Sequence, residues 1–543
     1  MFSVKRKHFQ LFRSQTNEHR GTRKKHMWIF PLGGLLALIW FLIRVIPKPS
    51  RASYPCQQAA FPLASGFVVW LIGAVVSITA VRKAKYSFNR ARYLAGIICI
   101  VTSVALVWLA LSITEEKLAL ADPLVTNEPI GTARGVQPGR VVWVHDPQAT
   151  DWQGPGDGHW WQSNHTNQEA VDRMMNQALL ALTGEKNSQA AWEKLFKHFN
   201  NTYGKGDTGY KPGEKITIKV NFVGCIWRDR TVDSESYDLV RQIDYMNTSP
   251  QIMLALLRQL VKVVGVKESD IAIGDTLGYF PNQYYKMLHD EFPQVHYLDH
   301  LGKFDRTAVK PSSVKIHWSC QPKDVQQDYV PASYVQADYL INLANLKSHT
   351  GAGITLCAKN HYGSLIRWPA QKGYYDLHPH AYADGMGKYR NLVDLMGHAH
   401  LGGKTLLYLI DGLYAGRHVA DKAPRKWNSA PFNGDWTSSL FVSQDPVAID
   451  SVAFDFLWAE WDDYPHKSGA EDYLHEAALA DNPLSKIFYD PDHAGNVKRL
   501  TSLGVHEHWN NSKDKQYSRD LGTGKGIELL KLKGTALNAS FMR

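Results

Sequence analysis

A cluster of polar residues around a glycine-rich turn is the part of the sequence best equipped for chemistry. It lies within residues 330–363, where the apolar segment YLINLANL leads directly into polar residues. The polar side chains of this cluster are Asn342, Lys347, His349, Lys359 and Asn360. Because open α/β sheets place their ligands at the carboxyl ends of their strands, this pattern predicts a buried strand that delivers these side chains to a site.

Lys347 and His349 form the strongest pair in this cluster. Gly351 and Gly353 bring the backbone close, and Lys359 follows. Lysines, a histidine and exposed backbone amides suit a phosphate or carboxylate ligand. We therefore predict that Lys347, His349 and Lys359 are catalytic, with His349 as a general base if burial lowers the pKa of a lysine. The alternative is a hydrogen-bonded turn in the core.

A second strand, KITIKVN, ends with two polar residues at alternate positions. Lys219 and Asn221 should therefore point to the same face of the sheet. A solvated strand edge would give the same pattern, but helices on both faces favour a site. The predicted substrate-binding residues are Lys219, Asn221, Asn342, Asn360, Gly351 and Gly353.

Four aspartates from separate loops form a candidate site for a divalent metal. Asp275 follows the strand IAIG, Asp411 ends the strand LLYLI, and Asp445 and Asp450 bracket PVAI. Carboxylate oxygens are the ligands that Mg²⁺, Mn²⁺ and Ca²⁺ prefer. A competing interpretation makes Asp445 a helix cap, because Pro446 would be the first helical residue. Asp275 fits a cap or a side-chain turn equally well.

The histidines and cysteines give weaker metal signals. The pairs H-P-H at 378–380, H-A-H at 398–400 and H-E-H at 506–508 have ligand spacing, but 23 histidines produce such pairs by chance. Surface or capping roles are the default for them. The five cysteines include no C-x-x-C pair, so we expect neither an iron–sulfur cluster nor a structural zinc site built on cysteine.

Strand-like and helix-like segments alternate from residue 141 onward. VVWVHDP predicts a strand, and residues 169–183 and 188–199 have helical periodicity. A further helix should have Ser249 as its cap, Pro250 at its first position and Gly265 as its stop. Further short apolar strands are DIAIGDT, VHYLD, DYLINL and TLLYLIDG. This alternation predicts an α/β fold with a mostly parallel sheet and helices on both faces.

Three apolar segments near the N-terminus have the length of transmembrane helices. They cover residues 28–46, 61–81 and 93–113. The predicted organisation is a basic tail at 1–26, a membrane domain at 27–113, a tether at 114–139 and a soluble domain at 140–543, with its core at about 140–465 and a C-terminal extension at 466–543. The lipid bilayer is therefore an expected partner.

The positive charge is concentrated in the membrane segment. The chain has a net charge of +10, but residues 1–92 hold 16 Lys and Arg and a single acid, so the remainder is net negative. Nucleic acid is therefore not an expected partner. Basic residues precede the first span and fill the loop between the second and third. By the positive-inside rule, the N-terminus is cytoplasmic and the large C-terminal domain extracytoplasmic.

The order of several motifs resembles one known family. The motifs are K-x-N at 219–221, K-x-H at 347–349, T-x-x-x-K-N-x-x-G at 355–363 and D-P-V-A-x-D at 445–450. Together they are similar to the family called domain of unknown function 362 (DUF362), from about Val141 to Trp458. Many members of that family carry a ferredoxin-like cysteine insert, which this chain lacks. The resemblance implies a fold and a site rather than a named activity.

Three classes of function remain. The first is a membrane-anchored enzyme, a hydrolase or transferase, acting on an anionic or polyol component of the cell envelope with possible help from a divalent metal. The second is a ligand-binding or sensor module, and the third is a non-catalytic assembly factor of the envelope. Polar residues inside a core are costly without a role, so the pattern favours the enzyme.

Overall fold

A computed structural model describes residues 35–40, 42–43, 68, 71, 128–226, 230–320, 327–367, 385–418, 421–493 and 499–534. The chain divides into two compact units, Met1–Leu124 and Val125–Arg543. In the first unit, the described positions are helical, and apolar side chains such as Leu36 and Ile43 are exposed. Within the described residues, no helix is both long enough and apolar enough to cross a membrane. Apart from these few positions, the three predicted spans lie outside the described residues.

The second unit combines fifteen described strands with nine described α-helices. The strands are β1 (Ile130–Gly131), β2 (Arg140–His145), β3 (Ile216–Lys219), β4 (Ile271–Gly274), β5 (His296–Asp299), β6 (Thr307–Ala308), β7 (Pro311–Ile316), β8 (Asp328–Pro331), β9 (Tyr339–His349), β10 (Gly353–Thr355), β11 (Ile366–Arg367), β12 (Thr405–Gly416), β13 (Ser439–Ser443), β14 (Val505–His506) and β15 (Glu528–Lys533). The helices are α1 (Gln168–Thr183), α2 (Ser188–Thr202), α3 (Pro250–Arg258), α4 (Asn282–His289), α5 (Ala332–Gln336), α6 (Cys357–Asn360), α7 (Asn391–Gly397), α8 (Pro446–Glu460) and α9 (Asp472–Ala478).

The large central sheet is mixed. Its strands lie in the order β15, β2, β13, β12, β9, β3, β4, β5, β6, and β10 pairs with β9 outside this path. The prediction of an α/β fold is confirmed, but that of a mostly parallel sheet is wrong. The difference arises at β13, which is antiparallel to both β12 and β2. The two smaller sheets, β1 with β14 and β11 with β8 and β7, are also antiparallel.

Apolar clusters cover both faces of the central sheet. Successive side chains of a strand point to opposite faces. Accordingly, Tyr339, Ile341 and Leu343 of β9 join a cluster with α1, α2 and α3. Leu340 joins a separate cluster that contains residues of α5 and α7. The centre of β9 is therefore shielded from water on both sides, and its polar residues are buried with it.

Local signals set the bounds of α3 as the sequence predicts. The side chain of Ser249 accepts a hydrogen bond from the Ile252 amide at 3.3 Å, and Pro250 is the first helical residue. The helix continues as a π-helical turn, Gln259–Val264, and stops at Gly265, where φ is +84°. A left-handed residue of this kind is the usual end of a helix.

The first and last described segments of the second unit, 128–139 and 499–534, contact the rest of that unit. In the predicted tether, the Arg134 amide donates a hydrogen bond to Asp445 at 2.8 Å, and β1 pairs with β14. In the predicted C-terminal extension, β15 forms an edge of the central sheet, parallel to β2. Residues 128–139 and 499–534 are therefore built into the folded domain.

Candidate functional site

A buried lysine lies at the carboxyl end of β3. Lys219 Nζ donates hydrogen bonds to Asp275 Oδ2 at 3.0 Å and to Asn360 Oδ1 at 2.9 Å, and a third to the Val220 carbonyl. Its side chain is almost completely buried. Burial lowers the pKa of Lys219, while the Asp275 carboxylate opposes that shift. The predicted Lys219 and Asp275 are thus brought together as an ion pair at the ends of β3 and β4, and the hydrogen bond to Asn360 joins α6 to this pair.

Amide side chains extend this network to β9. Asn360 Nδ2 donates to Asn342 Oδ1 at 2.8 Å, and Asn342 Nδ2 lies 3.1 Å from His361 Nε2. Burial, aided by the charge of Lys219, lowers the pKa of His361 to about 3. His361 is therefore a neutral ring that accepts a hydrogen bond from Asn342, and it holds that amide in one orientation.

Lys347 occupies the other end of the network. Its ammonium donates to Asn221 Oδ1 at 2.9 Å and to the Met246 carbonyl at 2.7 Å. Asn221 Nδ2 in turn donates to Asn360 Oδ1 at 3.1 Å. The predicted Lys219, Asn221, Lys347 and Asn360 therefore form one connected group at the carboxyl edge of the sheet.

The positive charges of this group are not all balanced. Within the described residues, neither Lys347 nor Lys359 forms an ion pair, whereas Lys219 does. Burial lowers the pKa of Lys347 to about 7; Asp411 opposes the shift and Lys219 adds to it. Burial and the charge of Lys219 also lower the pKa of Lys359 to about 7. Both lysines can therefore exchange protons near neutral pH.

Lys359 lies at the border between this network and the surface. It is half-buried, and its Nζ lies 3.9 Å from the centre of the Tyr362 ring. Tyr362 is held in place because its hydroxyl donates to Asn391 Oδ1 at 2.9 Å. An ammonium over an aromatic face is stabilised by the ring, but the ring supplies no negative charge. An anionic ligand would complete this environment.

His349 lies at the tip of a β-hairpin formed by β9 and β10. Its Nδ1 accepts hydrogen bonds from the amides of Gly351 and Ala352, each at 3.0 Å. The amides of Gly351 and Ala352 are therefore occupied within the hairpin. Gly353 instead has φ of +81° and pairs with His349 across the hairpin. With Nδ1 as an acceptor, the neutral ring carries its proton on Nε2.

Two of the four predicted metal-binding aspartates are caps. Asp445 Oδ1 accepts from the amides of Val447 and Ala448, and its Oδ2 accepts from those of Arg134 and Val505. This is the helix-cap interpretation, and it leaves no coordination site on Asp445. Burial raises its pKa to about 6, although the amides oppose that shift.

Asp450 lies within α8, and its carboxylate caps the start of α6 in a similar way. It accepts from the amides of Cys357 and Ala358 at 2.8 and 3.0 Å, and from the Tyr473 hydroxyl at 2.9 Å. Asp450 therefore joins α8 to the start of α6. Its pKa is raised by burial to about 6.

The four aspartates do not form a ligand set. Asp275 accepts from Lys219 and from the amides of Phe222 and Leu277, and Asp411 accepts from the amides of Ser249 and Leu413. Among the described residues, the group of His, Cys, Asp and Glu side chains that could hold a metal contains none of the four. The sequence places Asp275 and Asp411 at the ends of strands, but it does not show which amides the four carboxylates will meet.

Sequence reasoning missed two histidines of this region. His361 follows Asn360 directly, so the motif K-N-H-Y-G contained the signal. His418 lies after β12, and its ring centre is 6.0 Å from that of His349. Burial lowers the pKa of His418, and Lys347 contributes to that shift by charge repulsion. Nothing local to the sequence around His418 indicates this proximity.

The match to a family model includes most of the residues of this site. Residues 239–455 match the family model described as Domain of unknown function (DUF362). The match includes β9, β10, α6 and the Asp445 cap, whereas Lys219 and Asn221 precede it. No curated protein matches the chain. Residues 239–455 of this chain therefore belong to the DUF362 family, as the order of the motifs indicates.

Proposed function

We propose that this chain is a membrane-anchored enzyme whose site, at the carboxyl edge of the central sheet, binds an anionic substrate bearing a phosphate or carboxylate. The reaction class that fits best is hydrolysis or group transfer. The observation that carries the proposal is the charge imbalance described above. Two lysines without a described carboxylate partner adjoin the Lys219–Asp275 ion pair. Unneutralised buried charge is costly, and a bound anion would remove that cost.

The two half-buried groups are the ones proposed to contact the substrate. Lys359 would bind the anion, and His349 would donate the proton on its Nε2 to a leaving group. Lys347 is fully buried, so its role is to hold Asn221 and to exchange protons within the network. Lys219, Asn342 and Asn360 would position α6 and thereby Lys359.

The first test measures anion binding by the full chain. Inorganic phosphate and citrate serve as probes in isothermal titration calorimetry, with the protein in detergent. Lys359→Met should weaken binding by about 10- to 100-fold, since a hydrogen bond to a charged group contributes about 1.5–3 kcal/mol. Lys205→Met is the matched control, because Lys205 also lies over a tyrosine ring, 5.0 Å from the centre of Tyr339.

The second test separates chemistry from binding. His349→Asn retains an oxygen that can accept from the Gly351 amide as a side-chain turn, but it has no Nε2 proton. This variant should fold and bind phosphate, yet lose turnover of generic phosphomonoester and carboxyl-ester probes. Phosphate and citrate binding that is absent, or unchanged in Lys359→Met, would refute the proposed site. Binding without any turnover would favour the ligand-binding module.

A further inference from the structure

A second cluster of ligand-type side chains lies away from this site. Glu471 precedes α9 and His475 lies within it, so the two are four residues apart and share a helix face. His506 ends β14, and His508 follows two residues later on the same side of the extended chain. These four residues lie beyond the 239–455 match to the DUF362 family.

The ligand atoms of Glu471, His506 and His508 converge, and His475 lies beside His506. One oxygen of Glu471 and one ring nitrogen each of His506 and His508 lie within 4.8 Å of one another. The Nε2 atoms of His475 and His506 are 3.2 Å apart. Two ligands bound tetrahedrally to one Zn²⁺, each at about 2.0–2.1 Å, would be separated by about 3.3 Å. The spacing therefore matches that of neighbouring ligands on one ion.

Hydrogen bonds fix the tautomer of His506. Its Nδ1 lies 2.8 Å from Ser451 Oγ, and that hydroxyl donates its proton to the Val447 carbonyl at 2.7 Å. Ser451 must therefore accept from the Nδ1 proton of His506. The Nε2 of a neutral His506 then carries a lone pair, and it faces His475. Metal-binding histidines commonly have this arrangement, with the second nitrogen tied to an outer partner.

His508 is oriented in the same way. Its Nδ1 lies 2.6 Å from Asp455 Oδ1, and Asp455 is held in turn by the Trp509 amide and the Tyr517 hydroxyl. A carboxylate behind a histidine raises the basicity of the ligand and fixes the ring. The other side of the ring, Nε2, faces the carboxylate of Glu471.

His508 and Glu471 are in direct contact. Glu471 Oε2 lies 2.8 Å from His508 Nε2 and forms an ion pair with the ring when the ring is protonated. A metal ion would take the place of that proton at a point between the two atoms. A cation at that point would satisfy the buried oxygen and both rings together.

We propose that Glu471, His475, His506 and His508 bind one Zn²⁺ ion, with Ser451 and Asp455 as positioning residues. Three imidazoles and one carboxylate form a donor set that Zn²⁺ binds tetrahedrally. His506 and His508 are almost completely buried, whereas Glu471 and His475 are half-buried. The ion would join α9 and β14 to α8, which carries both positioning residues. It would thus tie the C-terminal segment of the chain to the DUF362 domain.

The test uses the full chain, purified without chelators, and measures its metal content by mass spectrometry. We expect one zinc ion per chain, and loss of that ion in Glu471→Gln and in His475→Gln. Both substitutions change half-buried residues, so folding should survive, which near-ultraviolet circular dichroism verifies. Ser451→Ala, which removes only the acceptor for His506, should lower zinc affinity by about 10- to 100-fold.

The second histidine pair supplies the matched control. His400→Gln changes a histidine of the H-A-H pair at 398–400 that is half-buried like His475, and it should retain zinc. Replacement of zinc by Co²⁺ should give the intense visible absorption of tetrahedral coordination, and His475→Gln should abolish it. Absence of zinc after loading, equal loss of zinc in His400→Gln, or retention of iron or manganese in its place would overturn the proposal.

Discussion

Two lysines without described ion-pair partners should make anion binding at the proposed site dependent on pH. Lys347 and Lys359 have pKa values lowered to about 7, so each is largely neutral at pH 8. An anion bound beside them favours the charged form and raises the pKa of the lysine that it contacts. Binding must therefore be coupled to proton uptake, and it must weaken as the pH rises above 7.

We predict that sulfate affinity falls by about tenfold per pH unit between pH 8 and pH 9. Sulfate is the appropriate probe because its own charge does not change in this range. Calorimetry in two buffers with different heats of ionisation gives the number of protons taken up, which should be about one at pH 8. Lys359→Met should remove most of this uptake, and Lys205→Met should leave it intact. A pH-independent affinity would contradict the assignment of Lys359 to the anion.

The aspartates show why residue type alone did not identify a metal site. Asp445 and Asp450 have the right chemistry for Mg²⁺, but backbone amides from distant segments occupy their oxygens. A carboxylate that accepts hydrogen bonds from several backbone amides has few lone pairs left for a metal ion. Asp445 could be predicted as a cap because Pro446 follows it, whereas the amides of Arg134 and Val505 could not be foreseen.

At the scale of the element, the β9–β10 hairpin depends on a glycine that no other residue replaces well. Gly353 has φ of +81°, and a Cβ at this position would overlap the Cβ of Ala470. Gly265 has a similar φ of +84°, but a Cβ there would meet no atom within 4 Å. An alanine at Gly265 would therefore introduce backbone strain alone, whereas an alanine at Gly353 would introduce both backbone strain and steric overlap.

We predict that Gly265→Ala lowers the free energy of unfolding by about 1–2 kcal/mol, the cost of the left-handed conformation alone. Gly353→Ala should cost about 1–3 kcal/mol more, because overpacking adds to the same strain. Ala470→Gly in the second background should recover some of that difference. Chemical denaturation measures the free energy of unfolding of each variant, with one common dependence on denaturant concentration used for all of them. Equal costs for the two single substitutions would mean that the contact with Ala470 is relaxed at no expense.

At the scale of the whole molecule, local signals were predictable and long-range partners were not. The cap at Ser249, Pro250 and the stop at Gly265 lie within one segment, so the sequence alone predicted α3. The strand β9 and its polar residues were likewise readable from one apolar run. In contrast, the mixed sheet depends on where β13 inserts, and β15 joins β2 from nearly 400 residues away.

In the candidate sites, too, the local motifs could be predicted from the sequence, whereas the long-range contacts could not. Lys219 and Asn360 belong to motifs that the sequence predicted, but their contact joins positions 141 residues apart. The histidine cluster combines a helix at 472–478 with a strand at 505–506. Its H-E-H signal was present, yet only the fold brings Glu471 and His475 to the same point.

The proposed membrane anchor would determine where the whole molecule works. Residues 1–92 carry 16 basic residues and one acid, which predicts an N-terminus in the cytoplasm and residues 125–543 on the outer face. We expect the full chain, expressed in bacterial cells, to remain in the membrane fraction after alkaline extraction. Protease added to spheroplasts should remove a C-terminal epitope tag and spare an N-terminal one.

A charge variant tests the cause of this orientation. Replacing the basic residues of the second loop, Arg82, Lys83, Lys85, Arg90 and Arg92, with glutamine removes much of the charge that should keep this loop inside. The C-terminal tag should then become partly protected, because orientation follows the distribution of Lys and Arg. A control that replaces five basic residues of the soluble domain should keep the original orientation. Extraction of the unaltered chain by alkali, or protection of its C-terminal tag, would place the proposed enzyme away from the envelope while leaving the anion and zinc sites to be judged by their own tests.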